Sequence, residues 1–281
     1  MSINRVLYDA PGPITKRNER IFSVVFAVIL TALLLWFIKF SADRGVFDDR
    51  WLVLFNPPKG QTAAEVWGSL IRYGLLGTLK AAVIAAPLAF LLAFGLAILR
   101  NSGNKFVSRI TVVIIEFLRG MPVLLMMFFG LLAVGLSPFL AVVFGLTLYN
   151  AAIMAEILRA GLVALPKGQA EAGIAIGLSK WQTLRMIQFP QVIRLMLPSL
   201  ISQLVVLLKD SSLGFIVGYS ELLTTMKHNY SFFGSESRLP LFVATVAIYL
   251  AVNLTLTRLA IFTERRLSHQ APKPDGAVAV D

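Results

Sequence analysis

EAGIAIGLSKWQTLRMIQFP, residues 171–190, lies between two of the most apolar segments of a 281-residue chain. It mixes good helix formers with Gly173, Gly177, Trp181 and several charged groups, a composition excluded from hydrocarbon. It is also longer and more regular than a plain connector. Residues 171–176 and 178–187 each have the makings of a short helix. Gly177 sits between them, where a hinge with positive φ needs a residue without a Cβ. A helix–glycine–helix element outside the membrane is a rigid protrusion, suited to docking a partner or transmitting force.

The flanking segments set the class. Hydrophobic residues make up 57% of the chain and charged residues 15%, against about 25% charged in ordinary soluble proteins. Several apolar runs approach the roughly 20 residues that cross a bilayer. The reading is an all-α polytopic membrane protein with about six spans, at 21–40, 72–99, 106–136, 138–163, 195–219 and 240–262. The third is too long for one straight helix, and Gly120-Met121-Pro122 interrupts it. Proline removes a backbone donor and clashes one turn back, so a kink or break is expected there. No polar stretch is long enough for a soluble domain. The chain divides into an N-terminal tail (1–20), a membrane domain (21–265) with its loop at about 166–190, and a tail (266–281) without periodicity, expected to be disordered.

The net charge of +11 does not point to nucleic acid, because the bases collect in short connections. With the N-terminus inside, the inner segments hold fourteen Lys and Arg, among them Arg17, Arg20, Arg100, Lys105, Lys167 and Lys180. The outer segments hold six, Arg44, Arg50, Lys59, Arg72, Lys227 and Arg238, interspersed with acids. The asymmetry places both termini and the 166–190 loop in the cytoplasm. Cysteine is absent, which excludes disulfides and thiolate metal sites. His228 and His269 form no ligand cluster, so no metal is expected. The first apolar run lacks a small-x-small cleavage site close behind it and does not read as a cleaved signal.

The spacing E-A-G, three residues, Gly177, nine residues, then Ile187-Gln188-Phe189-Pro190 resembles the EAA loop of ATP-binding-cassette importer permeases. Gly173 stands where that pattern has alanine, which should loosen the first short helix, and Phe189 stands where it has leucine. IIEFLRGMPVLLMMFF (114–129), LTLYNAAIMAEILRAGLVALPKGQAEAG (146–173) and LLKDSSLGFIVGYSELL (207–223) resemble the polar amino-acid uptake branch (histidine, glutamine, glutamate). VLYDAPGP (6–13) is similar to actinobacterial glutamate-uptake permeases. The resemblance implies a type I ABC-importer transmembrane domain in the plasma membrane, with glutamate as substrate. It implies a second, related permease subunit in a heterodimer, two ATPase subunits and an extracytoplasmic binding protein. Glu171, Ala172, Gly173, Gly177, Ile187 and Pro190 would couple the permease to the ATPase. ATP and Mg would be held by that partner, since this chain has no G-x-x-x-x-G-K-[ST] loop and no cofactor of its own. The chain would be a non-catalytic subunit.

Ionisable groups within the spans are costly and are candidates for the translocation pathway. Glu116 and Arg119 are three apart and able to pair, as are Glu156 and Arg159; each pair is either structural or pathway-lining. Asn150 either bonds a neighbouring helix or meets substrate. Lys209 and Asp210 are adjacent, point about 100° apart and do not pair easily on one face. Lys209 shares a stripe with Ser202, and Ser211 and Ser212 follow. Lys209 is therefore either a substrate group or half of an inter-helix bridge. Lys80 can snorkel outward. A channel or secondary transporter would not need the docking protrusion, and a membrane-embedded enzyme would want clustered acids and histidines that are missing.

Overall fold

The computed structural model describes residues 12–43, 45–46 and 48–268. The expectations for segment 6–11 and for the tail beyond Ser268 lie outside the described residues. The chain forms two units, residues 1–52 and 53–281. Among the described residues the secondary structure is helical, without strands.

The first unit holds α1 (Pro13–Asp43), which begins inside the segment read as a tail. Its 31 residues make a rod about 47 Å long. The side chains from Ile14 to Phe40 are exposed within the unit and mostly apolar on every side. A helix apolar all round belongs in lipid or against other membrane helices.

The second unit starts with α2 (Ala63–Arg100), which contains one wide turn at Leu70–Leu75. Its N-terminus is fixed by a reciprocal cap. The Glu65 amide donates to Thr62 Oγ1, and the Thr62 amide donates to Glu65 Oε2 at 2.7 Å. The Asn104 side chain accepts from the amides of Phe106 and Val107 and starts α3 (Lys105–Gly120). Met121 and Pro122 are extended, as a residue before proline prefers. α4 (Val123–Ala133) leaves α3 at 101°. The expected third span is therefore broken rather than kinked. Its arms, about 24 and 16 Å long, are each shorter than the hydrocarbon. Five helices are long and apolar enough to cross a membrane, and the bent pair counted as one span makes the six of the sequence reading.

α5 (Pro138–Ala164) starts at Ser137, whose hydroxyl accepts from the Leu140 amide. It leads into α6 (Lys167–Ala175) and then α7 (Lys180–Phe215). α7 begins 15 residues before the expected fifth span and runs through Pro190. A wide turn at Leu184–Gln188 precedes that proline. It covers Met186, whose carbonyl Pro190 cannot bond, so the helix continues instead of breaking. α8 (Leu222–Phe233) and α9 (Arg238–Ser268) complete the unit.

The core of this unit is a ridge of small residues. Ala81, Ala85, Ala89, Ala93 and Ala97 of α2 recur every four residues, and all are fully buried. The helix that α2 contacts most closely is α5, which buries Ala141, Gly145, Ala151, Ala152 and Ala155. In lipid, association rests on close van der Waals packing, which short side chains permit. Glycines carry the other crossings. A Cβ on Gly145 would lie 2.9 Å from the Met127 amide nitrogen of α4, and one on Gly161 would lie 2.7 Å from Val192 of α7.

Gly145→Ala should therefore push α4 off α5 and destabilise the bundle by about 1–3 kcal/mol. Gly95→Ala, where nothing lies within 4 Å, should not. The yield of monodisperse protein extracted in mild detergent checks this, and equal yields would refute the close-packing account.

Candidate functional site

The 166–188 region folds as the spacing suggested, with shifted edges. α6 begins at Lys167, behind Pro166, rather than at Glu171. Gly177 has φ +89°. Its amide donates to the Ile174 carbonyl at 2.9 Å, and the Leu178 amide donates to that of Gly173 at 3.1 Å. This is the double bond pattern that closes a helix through a left-handed residue. Ser179 opens α7 with a second reciprocal cap, accepting from the Gln182 amide while its own amide donates to Gln182 Oε1. Ser-x-x-Gln is a capping signature that reading the chain for its resemblance passed over.

Gly173, whatever it costs α6 in helix propensity, lets α6 touch α7. It is buried, and a Cβ there would lie 2.6 Å from Thr183 Cγ2 and 3.0 Å from Ile187 Cδ1. Gln191 donates across to Gln169 at 3.1 Å, tying the same pair together. Pro190 is exposed near the first turn of the straight part of α7. On the outer surface, Glu171 and Ala172 are exposed, as are Ile174, Ile176, Trp181 and Met186. A protrusion with a packed inner side and four large apolar groups outside has the character of a docking surface.

The charged residues sort into a cluster and a groove. Glu116 and Arg119 pair at 2.7 Å, both about half exposed. Glu156 pairs with Arg159 at 2.8 Å and also with Arg100 at the end of α2. Arg100 is a partner that counting it as a topology signal concealed. Asn150 is fully buried; it donates to the Leu146 carbonyl and accepts from Gln203 of α7 at 2.8 Å. Its Oδ1 links α5 to α7, while its Nδ2 bonds within α5. Lys80 lies over the Phe139 ring at 4.9 Å.

Neither Lys209 nor Asp210 has an ion-pair partner among the described residues, so the bridge reading of Lys209 finds no carboxylate among them. Ser211 and Ser212 lie on a tight turn after the straight part of α7. Their hydroxyls donate back to the carbonyls of Leu208 and Lys209. Ser202 is exposed on α7 but lies outside the lining of the groove into which Lys209 projects. That groove has a volume of about 480 Å³ and combines Lys209 and Ser212 with Thr245, Tyr249, Asn253 and Thr257 of α9. The four α9 residues are spaced by four, a polar stripe in the sequence that an eye for charges missed.

Tyr219 donates to the Gly77 carbonyl at 2.8 Å, and the Leu222 amide donates to Thr78 Oγ1. Glu221 caps α8 by accepting from the Thr224 amide at 2.8 Å. It is fully buried, and that burial raises its carboxyl above the usual carboxylate range.

Comparison with known proteins fits this arrangement. A family model described as the inner membrane component of binding-protein-dependent transport systems matches residues 85–269. The glutamate transport system permease protein GluD of Corynebacterium glutamicum is 40% identical over 235 residues, covering 80% of this chain and 83% of its own. The probable glutamine ABC transporter permease protein GlnP of Bacillus subtilis is 34% identical, covering 66% of this chain and 87% of its own. Among solved structures, an amino acid ABC transporter with histidines matches with a TM-score of 0.65 and 28% identity, over 72% of this chain and 96% of that one. A MetNI methionine ABC transporter chain, 19% identical with a TM-score of 0.58 over 74% of this chain and 99% of its own, shares the fold. This multi-pass membrane protein belongs to the family of inner membrane components of binding-protein-dependent transport systems.

Proposed function

We propose that the chain is the permease subunit of an ABC importer that carries glutamate, or a closely related polar amino acid, across the plasma membrane into the cell. The observation that carries this reading is the α6–Gly177–α7 protrusion, packed inside and apolar outside. Its Glu171–Pro190 spacing resembles the EAA loop of ABC importer permeases, which supports a coupling role. A second permease completes the pathway, two ATPase subunits hold ATP and Mg, and an extracytoplasmic binding protein delivers the substrate. This chain contributes no catalytic group. It moves between two states whose balance ATP shifts at the partners. The protrusion and both termini face the cytoplasm. The glutamate reading is supported by the relative named for glutamate transport and by the single unpaired cation in the α7–α9 groove.

Three outcomes test this reading. Gly177→Val meets no neighbour, since nothing lies within 4 Å of its Cβ position. It forces a β-branched residue to φ +89°, a strain of about 1–3 kcal/mol. ATP-coupled uptake should fall while membrane insertion persists; wild-type uptake at normal expression refutes the hinge role.

For topology, the absence of native cysteine makes labelling clean. Lys180→Cys should resist an impermeant thiol reagent in intact cells, and Ser235→Cys should react. The opposite pattern inverts the orientation.

For the pathway, Lys209→Met strands no carboxylate among the described residues and so should leave complex yield unchanged. It removes a charge-assisted bond to the substrate carboxylate, and uptake should drop about 10- to 100-fold. A loss of complex instead would make Lys209 a structural residue, bridged to a partner.

A further inference from the structure

We infer that the exposed face of α3 binds an anionic phospholipid, with its phosphate between Lys105 and Arg109 and its acyl chains along Phe106, Ile110, Val113 and Phe117. This goes beyond the importer reading and holds whatever the cargo is. Only the leaflet, the cytoplasmic one, follows from the proposed orientation.

Three sides of α3 carry different chemistry. Thr111 and Ile115 are buried on the side that packs on α2 and α5. The Ser108 hydroxyl donates to the Arg100 carbonyl at 2.6 Å and holds the start of the helix against the end of α2. On the opposite side, Phe106, Ile110, Val113 and Phe117 recur at steps of four, three and four, which places them on one face. They are 73, 43, 63 and 62% exposed. Lys105 and Arg109, both exposed, stand one turn apart on the flank of that face. Neither has an ion-pair partner among the described residues. Further along the same flank, Glu116 is already paired with Arg119.

Charge is therefore graded along the helix. Uncompensated cations occupy its first two turns, where a headgroup lies, and the ionisable groups beyond them are neutralised, as hydrocarbon demands. From Phe106 to Phe117 the apolar stripe runs about 16 Å. That is the depth of one leaflet, half of the ~30 Å hydrocarbon. An apolar partner helix would cover the stripe and leave both cations without an acid. A neutral lipid would cover it and bring no net charge to them. An anionic phospholipid meets both needs at the right spacing, with phosphate oxygens at the base for charge-assisted bonds and chains of matching length above. A lysine and an arginine together offer a compact charge and a planar fork to one phosphate. A basic end beside a phenylalanine-rich stripe is also the pattern of helices that lie at the headgroup–acyl boundary.

The test puts a fluorescent label on Val113→Cys, in the middle of the stripe; the chain has no native cysteine to compete. The complete complex, made with cysteine-free partner subunits, is reconstituted into phosphatidylcholine vesicles holding a minor share of phosphatidylglycerol. Bromine quenchers are carried on the acyl chains of one lipid or of the other. Brominated phosphatidylglycerol should be enriched at the label over brominated phosphatidylcholine. Lys105→Gln and Arg109→Gln should each lower that enrichment about fivefold. High salt should lower it without any substitution, so the result does not hang on how the variants fold. Lys59→Gln, exposed in the connection between α1 and α2, should leave it unchanged. Equal quenching by the two lipids, unaltered by either substitution or by salt, makes the stripe plain lipid surface and overturns the site. Absence of quenching by both puts a protein partner on α3 and overturns it as well. The readout is lipid contact rather than uptake, so a failure of the importer reading would leave it standing.

Discussion

The alanine ridge of α2 against α5 is the contact on which the second unit depends. Water supplies no hydrophobic drive between helices inside a bilayer, so stability must come from close approach. A side chain longer than a methyl at Ala81, Ala85, Ala89, Ala93 or Ala97, all fully buried, would hold the two helices apart. With α2 in place, α5 becomes the hub. Gly145 seats α4, Gly161 seats α7, and Asn150 binds Gln203 of α7. Arg100 at the end of the ridge helix reaches Glu156. Closing that ion pair requires the same spacing that the alanines set.

α7 joins the two candidate sites mechanically. One helical run from Lys180 to Phe215 carries the second arm of the protrusion at one end and Lys209 with Ser212 near the other. The span from Lys180 to Lys209 is about 44 Å of helix. A push on the protrusion reaches Lys209 through hydrogen-bonded backbone rather than through loops. The wide turn at Leu184–Gln188 and Pro198 are the places where that rod can bend. α6 shares the load, because Gly173 holds it directly on Thr183 and Ile187.

The groove is built differently from the cluster at Glu156. There, acids and bases neutralise one another, and Asn150 Oδ1 accepts from a neighbouring helix. Around Lys209 the charge is uncompensated, and the polar atoms of α9 face it unmet.

Local physical rules were enough for part of this protein. The hinge at Gly177 was legible because only glycine tolerates φ +89° without strain. The break at Pro122 followed from a missing N–H, and the helical membrane class followed from runs of apolar residues. The Ala81–Ala97 ridge, the Ser179 cap and the Thr245–Thr257 stripe were written in the sequence at helical spacing, although charge and resemblance drew attention elsewhere. The tertiary structure alone decided the rest. Gly173 gained a packing role only once α6 lay against Thr183. Glu156 looked self-sufficient with Arg159 until Arg100 came within reach. Asn150, a pathway candidate from its depth, came to bond Gln203 of α7. Lys209 found its companions 36 to 48 residues further along the chain. Spacing along one helix states which side chains share a face. Which face meets which is set by packing between helices, and no single helix encodes that.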